Sequence, residues 1–282
     1  MKDKKILKNN LDQHVVDDFG REWKAFNQRG FVGQNLENEF NLYFNIFPFE
    51  NLDKASVGFD MGCGSGRWAK LIAPRVGILN CIDPSAAALE QAEINLAGNA
   101  NCSFECASVA SSGLQDNSQD FGYSLGVLHH IPDTRAGLIS CANKLKKGAP
   151  FLLYLYYRFD NKPAWYAMIW RCSDIVRRLV SRLPFLIKLI ISQIIAVLVY
   201  LPLAVISKLL EKMGFDVSNI PLSDYRHKTF YFIRTDALDR FGTRLEKRFT
   251  KNEILELMHD AGFEDLKFSD GRPYWVCVGT KI

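Results

Sequence analysis

The segment Val57-Gly58-Phe59-Asp60-Met61-Gly62-Cys63-Gly64-Ser65-Gly66 most constrains what this chain can become. A short apolar run reads as a buried strand, glycine then recurs at every second position, and Trp68-Ala69-Lys70-Leu71-Ile72 opens a helix. Strand, glycine turn and helix in that order belong to a layered α/β fold, because the glycines let backbone approach a ligand at the mouth of a sheet. The alternation continues. Strands are expected over residues 77–82, 101–106, 120–127 and 151–157, with helices over 84–96 and 133–147. Lys144, Lys146 and Lys147 fall at the end of the second of these helices, with Gly148 as its stop. After an interruption, a helix over 251–261 and strands over 265–269 and 274–279 complete the pattern. The expected organisation is a helical cap over 1–55, a core over 56–157, an insertion over 158–248, and a last helix and two strands over 249–282.

Composition removes several alternatives. A net charge of +4 over 282 residues lacks the concentrated basic character of a nucleic-acid binder. Seven cysteines, an odd number with no CxxC pair, fit free thiols in a reducing cytoplasm rather than a disulfide scaffold. The five histidines show no metal-ligand spacing with them, so no metal is expected. The start, Met1-Lys2-Asp3-Lys4-Lys5, leads into a polar stretch, unlike the apolar core of a secretory signal.

Three details define the ligand. The spacing Gly62-x-Gly64-x-Gly66 is one residue shorter than the dinucleotide fingerprint. Asp60 stands two residues before the first glycine, where an acid fits poorly beside a pyrophosphate but well beside a cation. Asp83 ends the second strand, where a carboxylate can accept hydrogen bonds from ribose hydroxyls. No Gly-Lys-Ser/Thr follows, which removes the P-loop reading, and Asp60 disfavours a nicotinamide cofactor. S-adenosylmethionine, with its ammonium and sulfonium, has the required character.

On these residues, together with Cys81-Ile82-Asp83-Pro84-Ser85 and the stretch from Asp116 through Leu125-Gly126-Val127-Leu128-His129-His130 to Asp133, the chain resembles the class I methyltransferase family of the small-molecule type. The resemblance covers about residues 55–157 and the last 35 or so. It implies a doubly wound, Rossmann-like, seven-stranded and mostly parallel sheet, with the last strand antiparallel and a helical insertion after strand five. It implies S-adenosylmethionine as cofactor, with Gly62, Gly64 and Gly66 along its methionine half, Asp60 at its ammonium and Asp83 at its ribose. It extends the cofactor contacts to Cys63, Pro84, Ser108, Val109 and Leu125. Ser108 departs from the family pattern, which often has an acidic residue at that place for the adenine amino group.

Methyl transfer rests on alignment, and a hydroxyl acceptor benefits from a base. His130, then His129, are the candidates at the end of the fourth strand. Base, cofactor or acceptor contact, and structural packing all remain open for them. Tyr154, Tyr156 and Tyr157 close strand five, and Tyr156 is a candidate for the acceptor pocket, with sheet packing as the alternative. Phe19 and Trp23 of the N-terminal helix either close over the cofactor or pack in the core.

Residues 189–206 carry no charge, yet a single crossing of a membrane would separate strand five from strands six and seven. The apolar segment over 185–210 is therefore a lid, a homodimer surface or a membrane contact. Between 158 and 212 there are nine Lys or Arg against three acids, which suits the inner face of an anionic membrane. Tyr225, Arg226 and Arg234 are candidates to face the acceptor, against an alternative of surface ion pairs. The expected activity is methylation of a small or lipid-linked acceptor, most readily at oxygen. The alternative is a non-catalytic cofactor-binding or membrane-associated scaffold.

Overall fold

The computed structural model describes residues 9–26 and 33–282. In chain order its elements are α1 (Gln13–Ala25), α2 (Gln34–Phe44), β1 (Val57–Met61), α3 (Ala69–Ile72), β2 (Ile78–Asp83), α4 (Ala86–Asn95), β3 (Cys102–Cys106), β4 (Phe121–Leu125), α5 (Thr134–Lys144) and β5 (Pro150–Tyr154). Then come α6 (Ala164–Val180), α7 (Phe185–Ile195), α8 (Leu201–Lys212), α9 (Phe230–Gly242), α10 (Lys251–Asp260), β6 (Phe263–Phe268) and β7 (Val276–Lys281). They form two compact units, one of residues 1–158 with 245–282 and one of residues 159–244.

The first unit holds a seven-stranded sheet in the order β3-β2-β1-β4-β5-β7-β6. β1, β2, β3, β4 and β5 pair in parallel, and β7 runs antiparallel to both β5 and β6. The expected doubly wound sheet with an antiparallel last strand is thus present. Its central strands β1, β4 and β5 are almost wholly buried because both faces are covered, while β3 and β6 at the edges alternate buried or half-buried with exposed residues. Phe59, Phe121 and Phe151 are fully buried. Gly58 lies opposite Phe121 and Gly122 opposite Phe59 in the β1–β4 register. A Cβ at either glycine would meet the facing ring at 2.2 or 2.4 Å, so the glycines here make room for aromatics.

Caps set several boundaries. Ser85 accepts from the Ala88 amide and starts α4 after Pro84. Thr250 and Glu253 form a capping box at α10, and Gly262 follows that helix at φ +84°. The helix expected to run to Lys147 ends at Lys144, because the Lys144 carbonyl accepts from Ser118 and Gln119 and the Lys146 amide donates to Gln119. Lys146 leaves the helix and pairs with Asp120 at 2.6 Å, while Lys144 pairs with Asp116 at 2.8 Å. β5 also stops early, and Tyr157 continues only as an isolated bridge to Phe249.

The second unit is helical and narrower than the expected 158–248. Residues 245–248 join the sheet unit, where Leu245, Lys247 and Arg248 bond to the loop after β4 and to Tyr157. Within the second unit, Val180, Ala196, Tyr200, Ala204, Ile233, Ala237 and Phe241 form a small apolar core. A π turn over Ala196–Tyr200 joins α7 to α8 just before Pro202. Proline there lacks the amide for the Leu198 carbonyl and crowds it, which a wider turn relieves.

Candidate functional site

The site lies at the carboxyl ends of β1, β2 and β4. The chain order reverses between β1 and β4, and parallel sheets bind ligands at such a switch point. The turn after β1 is fastened from below by Gly62 and Cys63 amides donating to the Ile82 carbonyl at 2.7 and 3.0 Å. Gly62 sits at φ +83° with Val127 where a Cβ would be, and Gly64 at φ +54° beneath the Trp23 ring. Both positions exclude an ordinary side chain on two counts, backbone conformation and space. Gly66 packs against Leu96 and Ala92 of the α4 side.

Asp60 is the last but one residue of β1, at 2% exposure, and its Oδ2 has no hydrogen-bond partner. Burial raises its pKa to about 8, against the lowering influence of the adjacent Tyr123 hydroxyl. That hydroxyl lies near Asp60 without reaching Oδ2 in a formed hydrogen bond. The Ser65 hydroxyl is a second buried polar group without a partner in the same turn. A buried carboxyl is costly to ionise unless a cation meets it. Asp83 differs. Its Oδ2 accepts from Gly64 N at 2.9 Å and its Oδ1 from Ser85 N at 2.8 Å, while burial raises its pKa to about 6. It holds the turn to β2 and keeps lone pairs for further donors.

The remaining candidates for cofactor contact have varied surroundings. Cys63 is a buried free thiol, and the Pro84 carbonyl accepts from the Cys106 thiol. Leu125 closes β4 beside Gly126. Val109 is part of the main core. Ser108 donates to the Asn9 carbonyl at 2.9 Å and bonds Ser111, so its hydroxyl serves the N-terminal segment. That segment runs on over the site: Asn10 exchanges two hydrogen bonds with the Asp133 backbone, and Phe19 packs on His130 with ring centroids 5.0 Å apart.

His129 and His130 follow β4. His129 is fully buried, neither ring nitrogen has a hydrogen-bond partner, and burial with the neighbouring His130 holds its pKa well below the usual histidine value. It is a neutral ring packed between Tyr156 and His130, at 3.9 and 4.0 Å between centroids. His130 Nδ1 lies 2.7 Å from the Leu245 carbonyl. A carbonyl only accepts, so Nδ1 carries the hydrogen and Nε2 the lone pair. Lys247 fixes the same loop: its amide donates to the His129 carbonyl at 3.1 Å and its Nζ to the Ile131 and Pro132 carbonyls. Arg248, buried and paired with Glu246 at 2.7 Å, lies over the Tyr156 ring. Sequence reasoning missed this 245–248 strap, whose bonds to the histidine loop join residues more than a hundred positions apart through backbone carbonyls.

Three residues expected to face the acceptor have other work in the helical unit. The Tyr225 hydroxyl donates to Asp236 at 3.0 Å, Arg226 forks onto Glu211 at 2.7 and 2.9 Å, and Arg234 bonds Gln193. Their polar ends make ties within that unit, the arrangement of the ion-pair alternative. Among the described residues no cluster of metal-binding side chains occurs.

Residues 59–153 match the family described as "Methyltransferase domain". No curated protein matches the sequence. Among solved structures, a candidate methyltransferase of Haloferax volcanii, solved in complex with the Trm112 methyltransferase activator, is similar at 13% identity and a TM-score of 0.51, over 92% of this chain and 96% of that one. A SAM-dependent methyltransferase of Methanosarcina mazei is similar at 17% identity and a TM-score of 0.49, over 84% and 98%. The Haemonchus contortus phosphoethanolamine N-methyltransferase 1, solved with phosphoethanolamine and S-adenosylhomocysteine, matches at 17% identity and 0.41 over 49% and 32%. Residues 59–153 are thus a methyltransferase domain on a seven-stranded, mostly parallel sheet, with the buried Asp60 beside a positive-φ glycine turn, and S-adenosylmethionine is the cofactor such a domain uses.

Proposed function

We propose that the protein transfers the methyl group of S-adenosylmethionine to a hydroxyl oxygen of a small or lipid-linked acceptor. The observation that carries this reading is His130, a buried imidazole just after β4 whose Nδ1 lies 2.7 Å from the Leu245 carbonyl, which fixes the tautomer with the hydrogen on Nδ1. When bound, the cofactor supplies an electrophilic methyl on a sulfonium. Asp60 would hold its ammonium, the glycine turn its methionine half, and Asp83 its ribose. His130 Nε2 receives the proton of the acceptor hydroxyl as that oxygen is alkylated. His129, kept neutral by burial, places no like charge beside the imidazolium that forms. Phe19 and Tyr156 hold the His130 ring from two sides. A positioned base of this kind contributes roughly 10²–10⁴-fold.

A lipid-linked acceptor is favoured by the second unit, whose outward side chains are largely apolar. Seven free thiols support a reducing, cytoplasmic setting. The test is incubation of the purified protein with methyl-labelled S-adenosylmethionine and separate polar and organic-soluble cell fractions. Label is expected in an organic-soluble product, on oxygen. Label carried only by polar compounds, or on nitrogen or carbon, would refute the assignment.

A further inference from the structure

The helical unit of residues 159–244 is built inside out for a water-soluble protein. Of the 26 large hydrophobic side chains exposed among the described residues, 20 lie in this unit. Phe185–Lys212 is a continuous helix of 28 residues whose most apolar stretch has a mean hydropathy of 2.6 and is only 22% buried. A core helix would bury most of that surface. Instead its polar groups turn inward. Lys188 is buried and donates to the Gly242 carbonyl, and Ser192 and Ser207 are fully buried, while Leu186 and Leu198 are 70% and 69% exposed. The same inversion holds in α6, where Asp174 and Arg177 are buried as a pair and Leu179 is 63% exposed. Soluble monomers rarely leave an apolar patch of this extent in water.

This surface cannot be a membrane crossing. Tyr154 in β5 pairs with Val276 in β7, so the chain before and after the helix belongs to one sheet and must stay on one side. Among the described residues no second helix is long and apolar enough to bring it back. Charge decides between the occupants left, a bilayer surface and a second copy. Arg171, Lys208 and Lys212 are exposed on α6 and α8, and Arg182 in the turn after α6. The acids among them are already engaged: Asp174 is buried against Arg177 and Arg178, and Glu211 is tied to Arg226 and His227. A two-fold contact would set like charges against one another, whereas anionic headgroups would neutralise them. We infer that residues 159–244 form a monotopic membrane-docking element, lying in the interface of an anionic bilayer with α6, α7 and α8 contributing its apolar face.

The experiment is flotation of the full-length protein with phosphatidylcholine vesicles, with and without phosphatidylglycerol, alongside sedimentation of the protein alone. Wild type is expected to float with the anionic vesicles and to be released by salt. Leu186→Asp/Leu198→Asp is expected to abolish flotation, and Arg171→Gln/Arg182→Gln to weaken it roughly thirty-fold, at about tenfold per 1.4 kcal/mol and ~1 kcal/mol per cation near the surface. All these positions are exposed, so calorimetric binding of S-adenosylmethionine should persist in each variant and certify its folding. Absence of wild-type flotation would overturn the inference. So would equal flotation on neutral vesicles, or a stable dimer broken by the aspartate variant and indifferent to lipid.

Discussion

Replacing Asp60 by asparagine separates two consequences of one buried carboxylate. The folded pKa of Asp60 is about 8 against 3.8 for an ordinary aspartate. A raised carboxylate pKa means that the native state without cofactor holds a proton which the unfolded chain has lost. Stability without cofactor therefore falls as pH rises from about 4 to about 8 and levels beyond, by the linkage between proton uptake and folding. At pH 7 the cost is on the order of 4 kcal/mol, from about three pH units at 1.36 kcal/mol each. Asp60→Asn removes that cost, so the variant without cofactor should melt higher than wild type at pH 7–8 and equally at pH 4. For a chain of this length about 4 kcal/mol corresponds to roughly 8–16 °C. Cofactor binding should change in the opposite direction. A hydrogen bond to a charged group is worth about 1.5–3 kcal/mol, so affinity for S-adenosylmethionine should fall roughly 10- to 150-fold. Wild-type Asp60 must also ionise to receive the ammonium, releasing about 0.9 proton at pH 7. Calorimetry in buffers of different ionisation enthalpy measures this release directly, and the asparagine variant should show almost none. Equal affinity in the two proteins, or no proton release by wild type, would refute the assignment of Asp60.

Three further substitutions probe the frame around the site. Gly64→Ala meets both φ +54° and the Trp23 ring at 3.0 Å, and should cost about 1–2 kcal/mol in the left-handed region along with cofactor affinity, read by thermal melts with and without cofactor. Lys247→Met leaves the Ile131 and Pro132 carbonyls without their donor, and about 1–3 kcal/mol of stability should be lost. Its signature is a fall in turnover with little change in cofactor affinity, since the histidine loop moves and the glycine turn does not. Arg177→Ala leaves Asp174, 9% exposed at its side chain, with Arg178 alone and removes the donor to the Thr243 carbonyl, and should destabilise the helical unit by about 1–3 kcal/mol, seen as early cleavage within residues 159–244 in limited proteolysis.

The parts of this molecule visible in its sequence are those whose signal is local. A strand buried on both faces must be continuously apolar, so β1, β2, β4 and β5 were evident from runs such as those holding Phe59 and Phe151. The Gly62, Gly64 and Gly66 spacing reports backbone conformation directly, and Asp60 and Asp83 take their meaning from it. What stayed hidden depends on partners distant in the chain. Helix α5 ends at Lys144 because residues 117–119 claim the next backbone groups, and nothing near Lys147 announces that. The Leu245 carbonyl that sets the His130 tautomer is a main-chain atom, which any residue type would provide. The tie of Arg226 to Glu211, fifteen residues earlier, was not legible from the sequence around Tyr225. The apolarity of residues 189–206 was plain from composition, but its outward orientation required the inward placement of Lys188 and Ser192.

The most direct test of the account is S-adenosylhomocysteine formation, with a fraction that supports turnover, by wild type and His130→Gln measured beside their cofactor affinities. The account predicts that both bind S-adenosylmethionine alike and that the variant turns over roughly 10²–10⁴-fold more slowly, with no recovery at high pH. A His130→Gln protein that produces S-adenosylhomocysteine at the wild-type rate would contradict it.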